Sequence, residues 1–367
     1  MRLRNRTTRR AVLLGALLVA SGLGLAAGLA DRVAQAADES LVVVSYGGTY
    51  QDGLREAFFV PFTNDTGVEI VEDSGGSVPK IKAMVEANSV QWDVVNVSSS
   101  EYEVLVEQNL IQKIDYSAFD QTTLAPLPDF AKLEYGVAAS FYSCGITYRT
   151  DLENKEHPKT WIEFWDTEKF PGPRAMPSAN YVIPPWEVAL MGDGVDPASL
   201  YPIDFDRALA SLDKIKGSVK VWYEDTAAGV QSLIDHEVDY AMLCNNRVVA
   251  ARDKGTPVDV EWNQSLLDHD VWVVPVGSTH TATAMKFLSS MLDPNRQAVL
   301  VRQQPIGPSN PETLKLLDPK AASSLPTAPE NVPVQVPIKA GFYSEPAPNG
   351  TSQLEYGLQK WNAWYGQ

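Results

Sequence analysis

A short glycine turn between a strand-like and a helix-like segment is the first place where this chain could do chemistry. Val42–Phe58 reads VVVSYGGTYQDGLREAF, an apolar run followed by two glycines and then by helical spacing. Such a turn can cradle a phosphate or form one wall of a binding cleft. The third glycine of a dinucleotide loop and the lysine of a phosphate loop are both missing. We therefore expect a cleft wall, where glycines leave room for a ligand and Tyr46 and Tyr50 offer their ring faces.

Polar and aromatic side chains recur where other predicted strands end. In open parallel sheets, ligands bind beyond the carboxyl ends of the strands, so these side chains should converge on one edge of the sheet. Aromatic rings beside a carboxylate suit an ammonium ligand, with cation–π attraction of roughly 0.5–2 kcal/mol for each ring. For Tyr50, Trp222 and Asp225, ligand contact and simple packing both remain open. The strand-end candidates are Ser98, Ser99, Trp222, Asp225, Asn245 and Arg247. Core packing is the expectation for Trp161, Trp165, Trp361 and Trp364.

Motifs for catalysis, metal binding or cofactor binding are missing from the sequence. The four histidines are scattered without metal-ligand spacing, and there is no G-x-S-x-G, Walker or C-x-x-C motif. His269, between Asp268 and Asp270, could carry a charge, and a hydrogen-bonded or solvated loop is the expected setting for it. We therefore predict a protein that is not an enzyme and that uses no metal and no cofactor.

The elements that must position these residues alternate between strand and helix. Apolar runs predict strands at Leu41–Tyr46, Val68–Asp73 and Trp92–Val97, with helical spacing between them. A capping box is predicted at Ser100 and Glu103, where the next helix begins. Strands separated by helices of this length imply crossovers and a parallel sheet, so the fold class is α/β.

A second α/β unit is predicted in the following part of the chain. Gly136–Asp151 is expected to form a strand pair, or one strand leaving the first unit. Further strands are predicted at Val219–Tyr223 and Val238–Leu243, and Asp293 with Pro294 marks a helix start. A chain of 367 residues is long enough for two domains of typical size.

The N-terminus has the three-part pattern of a secretory signal. A basic start leads into an apolar run at Ala11–Ala30 and a small-residue site, Ala34-Gln35-Ala36, which predicts cleavage after residue 36. Residues 8–13 read TRRAVL and partly match a twin-arginine export signal. An uncleaved anchor is the alternative. No cysteine lies at the cleavage site, which favours a free periplasmic or secreted protein over a lipid-anchored one.

The charge balance narrows the choice of partner. The formal net charge is −16, and loss of the signal, with six Arg and one Asp, takes it to −21. This charge argues against nucleic acid and against an anionic membrane surface. It mildly favours cationic ligands, although a solvated acidic surface would give the same number.

The chain has two cysteines, Cys144 and Cys244. In an oxidising compartment they can pair, but their positions in the sequence also allow two buried thiols.

Five long segments of the chain, in order and with matching spacing, resemble the polyamine-type periplasmic solute-binding proteins of ABC importers. The resemblance implies a type II two-lobe periplasmic binding protein fold, in which each lobe is a mostly parallel sheet flanked by helices. It also implies crossover strands near residues 144–148 and 269–275, a ligand held between two closing lobes, and transfer of that ligand to a membrane permease. The segments are VVVSYGGTYQDGLREAFFVPFTNDTGVEIV, WDVVNVSSSEYEVLVEQNLIQKID, TWIEFWDTEKFPGPRAM, EVDYAMLCNNRVVAARDKGTPVDVEW and DVWVVPVGSTHTATAMKFLSSMLDPNRQAVL.

The resemblance further implies a division of the chain. Residues 1–36 are the signal peptide, 37–145 the first part of lobe 1, 146–268 lobe 2, 269–312 the second part of lobe 1, and 313–367 a C-terminal segment on lobe 2. The protein is expected to be a monomer that binds a small amine-containing solute and an ABC permease. A ligand-sensing receptor subunit, or an enzyme on the same fold, are the alternatives.

Site residues transfer from the family in part. The turn after strand one and the loop after strand three supply ligand contacts, which supports Tyr46, Tyr50 and Ser98 or Ser99. The acidic residue before the second hinge strand grips an amino group, and Asp270 falls there.

Three departures weaken a long polyamine as the ligand. Cys244 and Asp268 stand where the family has aromatic residues, and Pro177–Tyr181 replaces an acidic pair, with Glu187 further on. A shorter amine, or an amino acid such as 4-aminobutyrate whose carboxylate meets Arg247, fits at least as well.

Overall fold

The structure, a computed structural model, describes residues 40–153 and 156–366, so the predicted export signal lies outside the described residues. The strands are β1 (Ser40–Ser45), β2 (Glu69–Ser74), β3 (Val94–Ser98), β4 (Lys132–Leu133), β5 (Gly136–Arg149), β6 (Arg174–Pro177), β7 (Val219–Tyr223), β8 (Tyr240–Cys244), β9 (Val258–Val260), β10 (Leu266–Val273) and β11 (Val336–Pro337). The α-helices are α1 (Gly48–Leu54), α2 (Val60–Thr66), α3 (Val78–Glu86), α4 (Ser99–Glu107), α5 (Gln121–Leu124), α6 (Trp161–Trp165), α7 (Trp186–Gly192), α8 (Phe205–Ile215), α9 (Thr226–Ile234), α10 (Asn245–Asp253), α11 (Thr281–Ser290), α12 (Pro294–Gln303), α13 (Pro319–Ser323) and α14 (Gln353–Tyr365).

Two groups of parallel strands are joined by two long antiparallel strands. The main strand order is β2-β1-β3-β10-β5-β8-β6-β7, with β1, β2 and β3 parallel at one end and β6, β7 and β8 parallel at the other. Strand β5 pairs with β10 through its first half and with β8 through its second half. The α/β prediction and the two-lobe fold are therefore confirmed, with β5 and β10 running between the lobes.

Each lobe buries apolar side chains on both faces of its strands. In the first lobe, Leu41 and Val43 point to one cluster and Val44 points to another, as the alternation of a strand requires. In the second lobe, Met176 and Ala175 divide in the same way. Buried parallel strands covered on both faces read as apolar runs, which explains why they were visible in the sequence.

The segment after β1 is helical from α1 to α2, with a π-helical turn at Arg55–Phe59 between them. The four apolar residues that share one helical face in the sequence are all buried. They are Leu54, Ala57, Phe58 and Phe62. This face packs on the first lobe and holds the preceding glycine turn at the sheet edge.

The capping box of α4 lies two residues earlier than predicted, so the prediction of Ser100 with Glu103 is wrong. Ser98 is the N-cap, and its hydroxyl accepts a hydrogen bond from the backbone N–H of Glu101 at 3.3 Å. The Glu101 carboxylate in turn accepts the backbone N–H of Ser98 at 3.1 Å. Each of three consecutive serines could cap this helix, and the cap is Ser98 because β3 ends there.

The two cysteines face each other on neighbouring strands. Cys144 of β5 and Cys244 of β8 are directly opposite in the register, and their sulfurs form a disulfide. This link joins a strand that runs between the lobes to the sheet of the second lobe.

The C-terminal part of the chain returns to the second lobe. Strand β11 pairs with the start of β10, and α14 then packs its aromatic face on the helices beside it. Trp361 of α14 meets Trp186 edge-on at 5.8 Å between ring centroids. The four tryptophans expected in the core are buried or half-buried, as predicted: Trp161, Trp165, Trp361 and Trp364. No helix in the described residues is long and apolar enough to cross a membrane.

Candidate ligand-binding cleft

A cleft opens where the carboxyl ends of β1 and β3 approach the second lobe. It has two connected sections, of about 460 Å³ and about 710 Å³, and four residues line both. We call the smaller one the acidic section because Glu101 adds a second carboxylate to its lining, and the larger one the basic section because Arg247 and Lys254 line it. The shared residues are Tyr46, Tyr142, Asn246 and Asp270.

Asp270 is the carboxylate at the junction of the two sections. Its Oδ1 accepts the hydroxyl of Tyr46 at 3.0 Å, and its Oδ2 accepts the hydroxyl of Ser140 at 3.3 Å. Among the described residues no Lys or Arg pairs with it. Burial raises the pKa of Asp270 to about 7, against the lowering effect of the Tyr46 hydrogen bond. An arriving ammonium group would favour the ionised carboxylate, since opposite charges stabilise each other.

The glycine turn brings two tyrosine rings to this carboxylate. Gly47 and Gly48 have φ angles of 77° and 59°, a left-handed conformation that favours glycine. Tyr46 and Tyr50 then lie with their ring centroids 6.0 Å apart, and Tyr46 remains 49% exposed. Tyr50 donates its hydroxyl to Oδ1 of Asn96 at 3.2 Å. Burial, with the nearby Asp270 charge, raises the pKa of Tyr50, so its hydroxyl stays a neutral hydrogen-bond donor.

The acidic section continues toward two more buried carboxyl groups. The hydroxyl of Tyr142 donates to Oδ2 of Asp268 at 3.1 Å, and burial raises the pKa of Asp268. A small cavity of about 50 Å³ adjoins this section and is lined by Asp268 and Glu187. Glu187 accepts the hydroxyls of Tyr201 and Tyr343, both at 2.6 Å, and burial raises its pKa as well. Glu187 is thus held by neutral hydroxyls, whereas Asp268 also accepts the backbone N–H of His269 at 2.7 Å and has Nδ1 of His269 3.8 Å from its Oδ1.

The basic section has a polar wall on each side. Arg247 and Lys254, with Ala250 between them, line it from helix α10 of the second lobe. The opposite wall carries the glycine turn and the amide side chains of Gln303 and Gln304. Neither cation forms an ion pair in the part of the chain that the structure describes.

Five of the predicted site residues line the cleft. They are Tyr46, Tyr50, Ser98, Arg247 and Asp270. Ser99 lines the small adjoining cavity instead, where it is buried.

Three predicted residues lie elsewhere, each with a structural partner. Trp222 packs on Trp361 and Trp364 of α14 at 5.3 and 5.9 Å, because it faces the core side of β7. Asp225 caps α9 and accepts the N–H of Ala227 at 2.5 Å. We therefore leave both out of the proposed site.

Asn245 also has a structural role, and Asn246 occupies the position in the cleft that was predicted for Asn245. Asn245 is fully buried, accepts the N–H of Ser143 at 2.9 Å and donates to the carbonyl of Pro305 at 2.7 Å. Asn246 faces the cleft. Both are amides at a helix start, so the sequence alone contained no signal that separates them.

Other lining residues were not found from the sequence. Tyr142 lies inside the long strand β5, and Tyr181 and Val182 follow β6 in an irregular loop. The alternation of β5 could have placed Tyr142 on the same face as Ser140, which binds Asp270. The family resemblance pointed to the loop Pro177–Tyr181, but nothing in the sequence singled out Tyr181 or Val182 as lining residues.

Two lobes joined by crossover strands, with a polar cleft between them, define a solute-binding protein of the periplasmic type. Residues 57–329 match the family model described as bacterial extracellular solute-binding protein, and the chain belongs to this family.

Named relatives agree with this assignment. A gamma-aminobutyric acid-binding protein of Pseudomonas aeruginosa is 33% identical over 338 residues, 90% of this chain and 92% of that protein. A spermidine/putrescine-binding periplasmic protein of Escherichia coli is 23% identical over 86% of this chain and 89% of that protein. An ABC transporter substrate-binding protein from Bradyrhizobium japonicum has a solved structure with a TM-score of 0.78, 34% identity, and coverage of 89% and 99%. The chain is thus a solute-binding protein of the ABC transporter kind.

Proposed function

We propose that this protein captures a small ω-amino acid of the 4-aminobutyrate type between its lobes and delivers it to an ABC permease. The observation that carries the proposal is one cleft section lined by an anion and a cation that have no ion-pair partner among the described residues. Asp270 and Arg247 both line the basic section. A zwitterionic ligand would neutralise both groups at once, and the binding of gamma-aminobutyric acid by the Pseudomonas aeruginosa relative supports this ligand class.

Each residue has a separate role in this proposal. Asp270 receives the ammonium group, and Tyr46 and Tyr50 add cation–π attraction and exclude water. Arg247 receives the carboxylate, for which the planar guanidinium offers two parallel N–H groups. The two anchors lie on different lobes, since Asp270 belongs to β10 and Arg247 to α10. A ligand that reaches both would hold the lobes together.

A diamine such as putrescine is the second candidate. The acidic section favours it, because Asp270 and Glu101 line that section and Asp268 lies behind it. The Escherichia coli relative, a spermidine/putrescine-binding protein, is consistent with this class. The unpaired Arg247 argues against it, since a second ammonium group would be repelled there.

Titration calorimetry on the wild-type protein and on Arg247→Met distinguishes the candidates. We expect 4-aminobutyrate to bind the wild type more tightly than putrescine or spermidine does. The substitution should weaken 4-aminobutyrate by about 30-fold or more, because it removes the partner of a desolvated carboxylate. Putrescine affinity should stay level or rise. Tighter binding of putrescine or spermidine than of 4-aminobutyrate would overturn the proposal, and so would absence of heat with all three ligands.

The remaining features of the prediction belong to the same proposal. We place the first part of lobe 1 at residues 37–145, lobe 2 at 146–268 and the second part of lobe 1 at 269–312. The C-terminal segment, 313–367, lies on lobe 2. The course of β5 and β10 between the two groups of parallel strands supports these boundaries.

The protein acts as an exported monomer, released by cleavage after residue 36. A sensory receptor subunit would use the same cleft, and a pull-down with the membrane partner separates the two.

A further inference from the structure

We propose that Lys254 forms a second anion subsite beyond Arg247, and that the ligand class includes ω-amino acids whose carboxyl end carries a further anionic group. An example is 4-aminobutyrate joined through an amide bond to an acidic amino acid, which supplies one carboxylate for Arg247 in place of the one that the amide consumes and a second for Lys254. This inference rests on the proposed function, because it assumes that the amine end lies at Asp270.

The first support is the placement of the two cations. Arg247 and Lys254 are seven residues apart at the two ends of α10, and Ala250 lines the cleft between them. Seven residues are two helical turns, so the two side chains leave the same face about 10 Å apart along the axis. Together they form a row of positive charge leading away from Asp270.

The second support is the contrast with the other arginine of this helix. Arg252 is paired, with its Nη1 2.9 Å from Asp259 and its Nε 3.2 Å from Asp253. Within the described residues, the side chains of Arg247 and Lys254 have no such carboxylate. Arg252, which does not line the basic section, is thus neutralised by carboxylates. Arg247 and Lys254, which line it, have no carboxylate partner among the described residues.

The third support is the size and openness of the basic section. Its volume is about 710 Å³, in the range of pockets that hold drug-sized ligands, whereas 4-aminobutyrate has only about seven non-hydrogen atoms. The section also continues past Lys254 into a groove of about 460 Å³, which shares Ala250, Lys254, Gln303 and Pro305 with it. A ligand anchored at Asp270 can therefore extend outward without meeting a closed wall.

The opposite wall suits an anionic and amide-bearing extension. Gln304 presents an amide side chain there, and an amide can donate to a carboxylate or accept from a peptide N–H. Gln303 is already held, since its Nε2 donates to Glu56 at 2.7 Å. An acidic amino acid added to 4-aminobutyrate lengthens the ligand by about 3.8 Å per residue, and the flexible lysine can reach the rest of the way.

Calorimetry with 4-aminobutyrate and N-(4-aminobutyryl)-glutamate tests the inference on three proteins. These are the wild type, Lys254→Met, and a matched control, Lys286→Met, in which an exposed lysine of α11 outside the cleft is changed. We expect Lys254→Met to weaken binding of the longer compound about fivefold more than it weakens binding of 4-aminobutyrate. The control should bind both compounds as the wild type does. The loss of affinity of Lys254→Met for the longer compound should become smaller in high salt, since the lost interaction is electrostatic.

The possible outcomes separate the inference from the proposed function. Equal affinity of the wild type and Lys254→Met for the longer compound would overturn the inference. It is also overturned when the wild type binds 4-aminobutyrate but not the longer compound. Absence of heat with both compounds refutes the proposed function itself. An equal loss in Lys286→Met assigns the effect to general surface charge and overturns the subsite.

Discussion

Within the residues that the structure describes, only hydroxyl groups hold the side chain of Asp270, and this leaves its charge available to a ligand. Tyr46 and Ser140 donate to its two oxygens, and neither brings a positive charge. Burial therefore dominates, and the pKa of the carboxyl rises to about 7. An ammonium ion supplies the missing charge, so ligand binding and ionisation of Asp270 are linked.

This linkage predicts that ligand binding weakens as the pH falls. Only the ionised Asp270 attracts an ammonium group, so affinity should be full above pH 8 and about tenfold lower at pH 6. Near pH 7, binding should release about half a proton, because the ligand lowers the pKa of the carboxyl. Calorimetry in two buffers of different ionisation enthalpy measures that release. Asp270→Asn should bind weakly with no pH dependence in this range, and a persistent dependence would assign the titration to another group.

At the residue scale, the sequence predicted the types of group in the cleft better than their positions. Tyr46, Tyr50 and Asp270 were found because turn glycines and hinge acids stand in recognisable contexts. The sequence predicted Asn245 at the cleft, whereas Asn246 lies there, because the direction of each side chain depends on where α10 begins. Trp222 was misplaced because an aromatic at a strand end can face either the cleft or the core.

At the scale of elements, buried polar groups hold several of the connections that position the cleft. Arg174 starts β6 and is fully buried without an ion pair among the described residues. Its guanidinium donates to the carbonyls of Phe164 at 2.9 Å, Gly172 at 2.6 Å and Phe170 at 2.7 Å. It thereby ties the end of α6 and the following loop to the strand that leads into Tyr181 and the cleft. Burial lowers the pKa of Arg174, yet the group stays charged because its ordinary pKa is so high.

Replacing Arg174 by Met should destabilise the second lobe by about 2–4 kcal/mol. The substitution leaves two buried carbonyl groups and one part-buried carbonyl group without their donor, and each such loss costs about 1 kcal/mol or more. Arg207→Met is the matched control, because Arg207 pairs with Asp193 at 2.7 Å on the surface and its loss should cost less than about 1 kcal/mol. Urea unfolding of both variants measures the difference. Equal midpoints would show that the buried guanidinium contributes no more than a surface ion pair.

Helix and strand positions were more predictable than the way in which they end or connect. The buried face of α1 and α2 repeats at helical spacing, so it was visible in the sequence. The capping box at Ser98 was missed by two residues because neighbouring serines are chemically equivalent caps. The sequence did not show whether Gly136–Asp151 forms one long strand or a strand pair. The pairing partner of β5 changes from β10 to β8 midway, and such pairing depends on residues that are distant in the sequence.

At the scale of the molecule, ligand binding should stabilise both lobes, because the two proposed anchors lie on opposite sides of the cleft. At a concentration of 4-aminobutyrate 100-fold above the dissociation constant, the folded state should gain about 2.7 kcal/mol. For lobes of this size, where 1 kcal/mol shifts the melting temperature by about 2–4 °C, the rise should be about 5–11 °C, as measured by scanning calorimetry. Arg247→Met, weakened about 30-fold, should gain only about 0.9 kcal/mol at the same ligand concentration, so its melting temperature should rise about a third as much. A rise confined to one of two separate transitions would mean that the ligand contacts a single lobe, and it would contradict the bridging of Asp270 and Arg247.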